Sequence, residues 1–442
     1  MSFPRFLFIT CLVFFIIRNL VLSLAMPLWV AGDELAHVDY ALKLSRGHIP
    51  ETTEFIEPEL FELHKDHWDH RYLSTDEQKP EITDLKAFGL GAYCYQANHP
   101  PLPHFILSLF RKVFQFLGLT LLLQVKLMRL VSLSAALLGI LLIYFELRKN
   151  ANLGAAYFLP LLCLPLLAQD MFFCVNNDVY SFLFGCLAVA GMFRLYKNPH
   201  STKNWLWLTV AVSLAMWVKL TNVLFFGLWV LFALTLIISK REKKLILPSS
   251  AYFFLTVLLS SPWHIFNQIR YHSIWATHII EGIPGMPVFH ASSLTLLSLW
   301  NFFRAFTRTF FRGELLWEGK YFDLFSEGMN DVFLTCVSLL FVCIALASSL
   351  KAVKIPADHL KRFFSLSAFA VILALLYGQS LVGNIPYYHA RLSLGCFYFL
   401  IFPLCLGALY TFRSERLTYA ILFLGLLLYN FFYSVSLLIR VL

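Results

Sequence analysis

The sequence predicts an all-α polytopic membrane protein of about 11 transmembrane helices, with a long first extracytoplasmic loop that carries interfacial helices. Three observations predict it. Hydrophobic residues fill 59% of the 442 positions and charged residues only 14%, against roughly 25% charged in soluble domains. The apolar residues gather in runs close to the roughly 20 residues that a helix needs to cross a bilayer. Basic residues collect in short clusters between alternate runs, where they set orientation. The net charge of +9 is therefore a topology signal, and no nucleic-acid partner is implied. Aromatic residues, 17% of the chain with 45 Phe, suit lipid-facing and interfacial positions. The nine Cys lie mostly within apolar runs and outline no disulfide framework.

The expected spans are 6–29, 127–147, 153–173, 180–196, 205–218, 223–238, 246–265, 332–350, 363–381, 392–410 and 417–439. The first is longer than the apolar stretch of a signal peptide and is expected to be a retained anchor. The stretch 205–238 is too long for one helix and is interrupted by Lys219, Thr221 and Asn222. It therefore divides into two helices joined by a turn at the membrane surface. Arg148 and Lys149, then Arg194, Lys197 and Lys203, then Lys240, Arg241, Lys243 and Lys244 all fall on one side. So do Lys351, Lys354, Lys361 and Arg362, and finally Arg413 and Arg416. An excess of Lys and Arg marks cytoplasmic loops, which places the N-terminus inside.

The segments left outside are 31–126, 175–179, 219–222, 266–331 and 382–391, and they hold nearly all the unusual polar residues. The chain thus reads as a single transmembrane domain, 1–442, with two large outer loops at 31–126 and 266–331. The first loop carries more than half of the 26 acidic residues. Its apolar stretch PHFILSLFRKVFQFLG is interrupted by Arg111 and Lys112 and reads as an amphipathic helix lying in the interface. The stretch 294–311 reads as a second one. There is no internal repeat and no low-complexity tract.

Asp33 and Glu34 stand at the mouth of the first span. Carboxylates beside lipid are costly and are usually functional, and one held at a membrane surface can act as a general base toward a hydroxyl or amine. The same pair also reads as an acidic juxtamembrane loop, or as a helix start favoured by the dipole. On a helix, Asp33, His37 and Tyr40 share one face, which would add an orienting or metal-binding group. His99 precedes Pro100 and Pro101; that rigid turn either fixes His99 near the acids or only starts a helix. Arg129, at the outer end of the second span, either snorkels or binds a phosphate. In Asn176-Asn177-Asp178, Asp178 can cap a helix and also belong to a site. Lys219 and Asn222 occupy a short outer turn, and Tyr387, Tyr388, His389 and Arg391 another. Cations at Lys219, His389 and Arg391 would stabilise charge on a departing phosphate, with Arg able to fork onto its oxygens. Arg18, inside the first span, receives no role. A Walker-type phosphate loop, a nucleophile elbow and a Cys-x-x-Cys knuckle are all absent from the sequence, so these readings do not apply.

Taken in order, several segments resemble the GT-C glycosyltransferase superfamily. They are DELAH at Asp33–His37 with ALKLSRGHIP after it, NHPPL at Asn98–Leu102 and RLVSLSAALLG from Arg129. VNND at Val175–Asp178, VKLTN at Val218–Asn222, PWHIFNQIRY from Pro262 and YYHARLSLGCFYFLIFP from Tyr387 complete the set. The resemblance is to the bacterial multi-span branch, and more distantly to the protein O-mannosyltransferases and the lipid A aminoarabinose transferase. It implies a membrane enzyme that uses a polyprenyl-phosphate sugar. The acid pair would activate the acceptor, with Asp33 as base and Glu34 in support. Asp178 would be the second acid, and Lys219, His389 and Arg391 would hold the lipid phosphate. His37, His99, Arg129 and Asn222 stand as further substrate contacts. A divalent metal at Asp33 or Asp178 is compatible with the superfamily, and no other cofactor is implied.

The expected activity moves a sugar to an extracytoplasmic acceptor, a cell-envelope glycan, lipid or protein, by single displacement with inversion. The donor is expected to be lipid-linked because nucleotide sugars are cytoplasmic and the acids lie outside. The localisation is the inner or plasma membrane, with the site on its extracytoplasmic face. A transporter or flippase of lipid-linked sugars is the alternative; it predicts charges or broken helices near the midplane. An O-antigen polymerase or ligase would place its main outer loop late in the chain, whereas here it comes first.

Topology is directly testable. A reporter fused after Asp84 should read the outer face and one fused after Lys244 the cytoplasm; both on one side would remove the basis for an outer site.

Overall fold

The computed structural model describes residues 3–29, 33–67, 92–149, 155–167, 170–274, 294–311, 358–382, 392–412 and 414–441, with positions 343 and 347. The helices in chain order are α1 (Phe3–Ala25), α2 (Glu34–Ser45), α3 (Pro58–His67), α4 (Leu102–Phe116) and α5 (Leu121–Lys149). They continue with α6 (Ala155–Cys163), α7 (Asp178–Lys197), α8 (Thr202–Met216), α9 (Leu224–Lys240) and α10 (Ile246–Tyr271). The remainder are α11 (Leu296–Phe311), α12 (His359–Val382), α13 (Phe397–Phe412) and α14 (Glu415–Val441). Among the described residues, eight helices are long and apolar enough to cross a membrane. The protein is an all-α polytopic membrane protein, as its composition requires.

Three expected spans are not among those eight. The stretch 332–350 lies outside the described residues. The stretch 205–218 forms α8, which has only 15 residues. At 1.5 Å per residue such a helix reaches about 23 Å, less than the ~30 Å of a hydrocarbon core. The stretch 153–173 is not one helix. It is α6, with Pro160 inside it, followed by the 3-10 turns Leu164–Leu166 and Asp170–Phe173. Proline removes a backbone donor and clashes with the preceding turn, so Pro160 and Pro165 divide a run that is apolar throughout. Tyr157 at its start bonds Asp358 at 2.9 Å, while the Val175 amide beyond its end bonds Glu34 at 3.0 Å. The segment therefore still runs the length of the bundle, as an interrupted crossing.

Irregular backbone at membrane depth is tolerated only where protein buries it and supplies the missing partners. Both conditions hold. Every residue from Leu159 to Leu167 is buried. Asn430 on α14 donates to the Leu166 carbonyl at 3.0 Å, and the Tyr398 hydroxyl donates to the Tyr157 carbonyl at 2.6 Å. Arg18 belongs to the same seam. Its Nε donates to Ser434 Oγ and its Nη1 to Asn19 Oδ1, both at 2.8 Å, and its guanidinium lies 5.6 Å from the Phe173 ring centroid. An arginine left unexplained in the first span thus joins α1 to α14 and to the broken crossing.

The two ends of the bundle differ. At one end Arg194 on α7 donates to Glu146 on α5 at 2.6 Å. There, too, His200 Nε2 lies 2.9 Å from Glu242, and Asp358 holds Lys361 at 2.8 Å. These contacts bring the basic clusters together. The opposite end carries α2, α3 and α4 of the first loop. α4 buries Pro103, His104, Leu107, Ser108 and Arg111 and exposes Phe105, Leu109, Phe110, Val113 and Phe116. That bare apolar face suits a helix lying in the interface. α11 lies where the second interfacial helix was expected.

Asn430→Leu should lower the thermal unfolding midpoint in detergent, because it leaves the buried Leu166 carbonyl without a donor, a loss of about 1–3 kcal/mol. Leu428→Ala, at a position 45% exposed toward lipid, should be close to neutral.

Candidate functional site

The first span ends at a tight corner, and the corner is built around Glu34. Trp29 and Asp33 both adopt left-handed backbone, with φ of 67° and 66°. Asp tolerates that region better than most residues. The corner leads into α2, whose first residue is Glu34. The Glu34 carboxylate is fully buried and accepts four hydrogen bonds. Arg129 Nε and Nη2 donate at 2.7 Å each, and the Trp29 and Val175 amides at 3.0 Å each. Arg129 places its remaining donors on backbone. Nη1 bonds the Ser23 and Met26 carbonyls at 3.2 and 2.8 Å, and Nη2 bonds that of Pro27 at 2.8 Å. A guanidinium has five N–H donors, and all five are used here. This arrangement leaves no donor for a phosphate, so Arg129 is not placed as the phosphate ligand that its position suggested.

Asp33 differs from its neighbour. It is half-buried, and its Oδ1 accepts from the Tyr95 hydroxyl at 2.5 Å. Tyr95 begins a 3-10 turn that runs to Asn98. Sequence reasoning missed this tyrosine, since nothing in the sequence links positions 62 residues apart; its place just before NHPP was the available signal.

The His-Pro-Pro turn sits between the ends of α8 and α10. The Asn98 carbonyl accepts from Trp263 Nε1 at 3.2 Å and from Asn267 Nδ2 at 3.3 Å. The Leu102 amide donates to the Trp217 carbonyl at 3.2 Å. His99 is half-buried there, and its carbonyl accepts from Tyr40 at 3.4 Å.

His37 does not sit alone beside the acids. Its Nδ1 lies 2.9 Å from Nε2 of His104 on α4, and the Tyr40 ring stacks on His104 at 4.1 Å. Both histidines are fully buried. Burial, with His99 nearby, pushes the His104 pKa from 6.5 down to about 3, so its ring is neutral over the physiological range. His104 too was absent from the sequence-based site. One helical turn further along α2, Lys43 lies 3.0 Å from Asp39 and donates to the Phe55 carbonyl at 2.6 Å. This pairing pins the loop that precedes α3.

Asp178 opens α7, and its Oδ1 lies 2.6 Å from Lys219 Nζ. Both are buried. Asn222 Nδ2 bonds Ser181 Oγ at 3.0 Å and the Ala215 carbonyl at 2.6 Å. The α8–α9 turn and the start of α7 are therefore one unit. His389 and Arg391 lie outside the described residues. The chain re-enters beside this unit: the Leu392 carbonyl accepts from Thr221 Oγ1 at 2.9 Å. Two glycines permit that approach. A Cβ on Gly185 would fall 2.0 Å from the Gly395 carbonyl oxygen, and one on Gly395 would fall 2.8 Å from that of Ser181. Among the described residues, no three His, Cys, Asp or Glu side chains gather in a metal-holding group, and Asp178 faces Lys219.

Residues 98–266 match the family model of the dolichyl-phosphate-mannose-protein mannosyltransferases, a GT-C-type family. No curated protein matches the chain, and no solved structure matches it. The matched stretch contains His99, Arg129, Asp178, Lys219 and Asn222; Asp33, Glu34 and His37 precede it, and His389 and Arg391 follow it. The match and the membrane helices support an integral membrane glycosyltransferase of the GT-C kind.

The Glu34–Arg129 pair should behave as a unit. Removing one partner strands a buried charge, so Glu34→Leu or Arg129→Met alone should cost about 3–5 kcal/mol. The double variant should cost much less than the sum, read from unfolding midpoints in detergent.

Proposed function

We propose that this chain transfers a sugar from a polyprenyl-phosphate donor to an acceptor at the extracytoplasmic face, with Asp33 as the general base. The contrast between the two carboxylates of the first corner carries the proposal. Glu34 is saturated by Arg129 and two amides and holds the corner. Asp33, one residue earlier, is half-exposed and oriented by Tyr95. A base must reach the proton that it removes, and of the two only Asp33 offers that access. The family match supports the donor class. The sorting of basic clusters away from the acids supports the outer face.

The step balances simply. The acceptor O–H gives its proton to the Asp33 carboxylate as its oxygen attacks the anomeric carbon. The anomeric C–O bond breaks, and the electron pair leaves with the polyprenyl phosphate. A single displacement of this kind inverts the anomeric centre. Lys219, with His389 and Arg391, takes the phosphate side, where fixed positive charge stabilises the leaving group. Asp178 holds Lys219 in place, and Asn222 holds the turn that carries it. Arg129 serves the corner, not the phosphate. His37 and His99 shape the acceptor side, and a divalent ion at Asp33 or Asp178 stays compatible with this chemistry.

Two observations favour the transporter alternative: the crossing at 155–173 is broken, and Arg18 lies within a span. Both features are consumed by packing, since Asn430 takes the Leu166 carbonyl and Ser434 takes Arg18. The transferase is therefore the better account.

Asp33→Asn keeps the shape and removes the basicity. It should express and insert normally while transfer of labelled sugar from polyprenyl phosphate in membrane vesicles falls about 10²–10⁴-fold. Wild-type turnover by the variant would sink the assignment.

A further inference from the structure

Starting from the basic end of the bundle, α7 and α8 leave a groove of about 350 Å³ between them. Its walls are Leu187 on α7 and Leu206, Val210, Ala211 and Leu214 on α8. Trp207 and Lys203 complete it. From Leu206 to Leu214 the groove follows α8 for about 12 Å, at 1.5 Å per residue. Its apolar part opens to the lipid side, with Leu206 and Val210 both more than 40% exposed.

The mouth of the groove is constructed. Trp207 is held by its indole N–H, which donates to the Leu187 carbonyl at 3.2 Å. Gly191 on α7 makes room for the ring, because a Cβ there would fall 2.8 Å from Trp207 Cδ1. The Arg194 guanidinium lies 4.2 Å from the ring centroid. Arg194 is matched by Glu146 at 2.6 Å, but Lys197 and Lys203 are exposed with no acid within ion-pair distance among the described residues. The mouth therefore carries surplus positive charge over an apolar channel, with a tryptophan at the depth where indoles prefer to sit.

We propose that this groove is a binding site for an anionic glycerophospholipid, with one acyl chain along α8 and the headgroup phosphate against Lys203. The chemistry follows from the two halves of the groove: an apolar channel takes a hydrocarbon chain, and a lysine at its mouth selects a negative headgroup. A second groove, between α9 and α12, provides the contrast. It holds about 470 Å³ and is lined by Val223, Gly227, Val230, Ala370 and other apolar residues, with no charged side chain. It should take lipid without regard to headgroup charge. The proposal rests on neither the sugar donor nor Asp33.

The test uses Trp207 as the reporter. The full-length protein is reconstituted in vesicles with rising fractions of brominated phosphatidylglycerol or brominated phosphatidylcholine. The fluorescence lost in Trp207→Phe isolates the groove from the other tryptophans. One juxtamembrane lysine favours an anionic lipid by about fivefold, so Trp207 quenching should half-saturate at about fivefold less phosphatidylglycerol than phosphatidylcholine. Lys203→Gln should bring that ratio close to one while leaving quenching by phosphatidylcholine unchanged. Equal half-saturation in the wild type, or a preference that survives in Lys203→Gln, would overturn the site. So would displacement of the brominated lipid by polyprenyl phosphate at lower fractions than by phosphatidylglycerol.

Discussion

The buried pair of Glu34 and Arg129 is the interaction on which the acid-bearing end of the molecule depends. Burying two charges costs several kcal/mol per ion unless the geometry is excellent and every remaining valence is satisfied. Here both conditions are met: the carboxylate accepts four hydrogen bonds and the guanidinium donates five. Those bonds reach the end of α1, the corner at residues 26–29, α5 and the strand of chain before α7. Three parts of the chain that are distant in sequence, residues 23–34, α5 and the stretch before α7, are thereby fixed relative to one another. Asp33 inherits its position from this knot. It is the residue next to Glu34, turned through a left-handed backbone so that its side chain meets Tyr95 and not the guanidinium.

The proline-broken crossing is the second constraint, and it is tied to the first. Hydropathy responds to apolar side chains and not to the backbone, so 153–173 looks like an ordinary span. Pro160 and Pro165 alter only the backbone, since each lacks the amide that the carbonyl four residues earlier, of Ala156 or Leu161, would accept from in a continuous helix. In lipid the loss of such a partner would be prohibitive. Neighbouring side chains bond further backbone along the segment: Asn430 donates to the Leu166 carbonyl, Tyr398 to that of Tyr157 and Asn176 to that of Met171 at 2.7 Å. The interrupted geometry lets the chain arrive at Val175 with its amide directed at Glu34. A continuous helix through 173 would present its last turn differently. The break is thus part of how the corner is completed.

Class and the position of the acid pair were legible in the sequence because each depends on local pattern. A run of apolar residues, a cluster of lysines and an amphipathic repeat all announce themselves within about 20 residues. The pairings were not legible. Arg129 meets Glu34 across 95 residues, His37 meets His104 across 67 and Lys219 meets Asp178 across 41. Read singly, Lys219 looked like a cation awaiting an anionic ligand, and Arg129 like one that either snorkels or binds a phosphate. The fold gives each a carboxylate, and only Lys219 remains a candidate for the donor. The glycine pair at 185 and 395 carried no signal at all, because close approach is a property of two backbones and not of either sequence.

The same distinction separates the cations of this chain into two groups. Both ends of the bundle contain lysine and arginine, yet they hold them differently. At the acid-bearing end, Lys43, Arg111, Arg129 and Lys219 are buried, and each is matched to a carboxylate: Asp39, Glu59, Glu34 and Asp178. At the other end, Lys197, Lys203, Lys243 and Lys244 face outward. Orientation follows the cations that remain unmatched near the membrane surface, because a neutralised pair feels neither the translocation bias nor the field of anionic lipid. A buried cation held by one carboxylate has a different use. It is already desolvated and oriented, so an arriving phosphate meets fixed charge and not a side chain that must first shed water. Lys219 meets that description, with Asp178 at 2.6 Å and the chain that follows Arg391 bonded to the same turn through Thr221. The exposed cations of the basic end and the buried, carboxylate-held Lys219 are thus separated by burial, and by the length of the bundle.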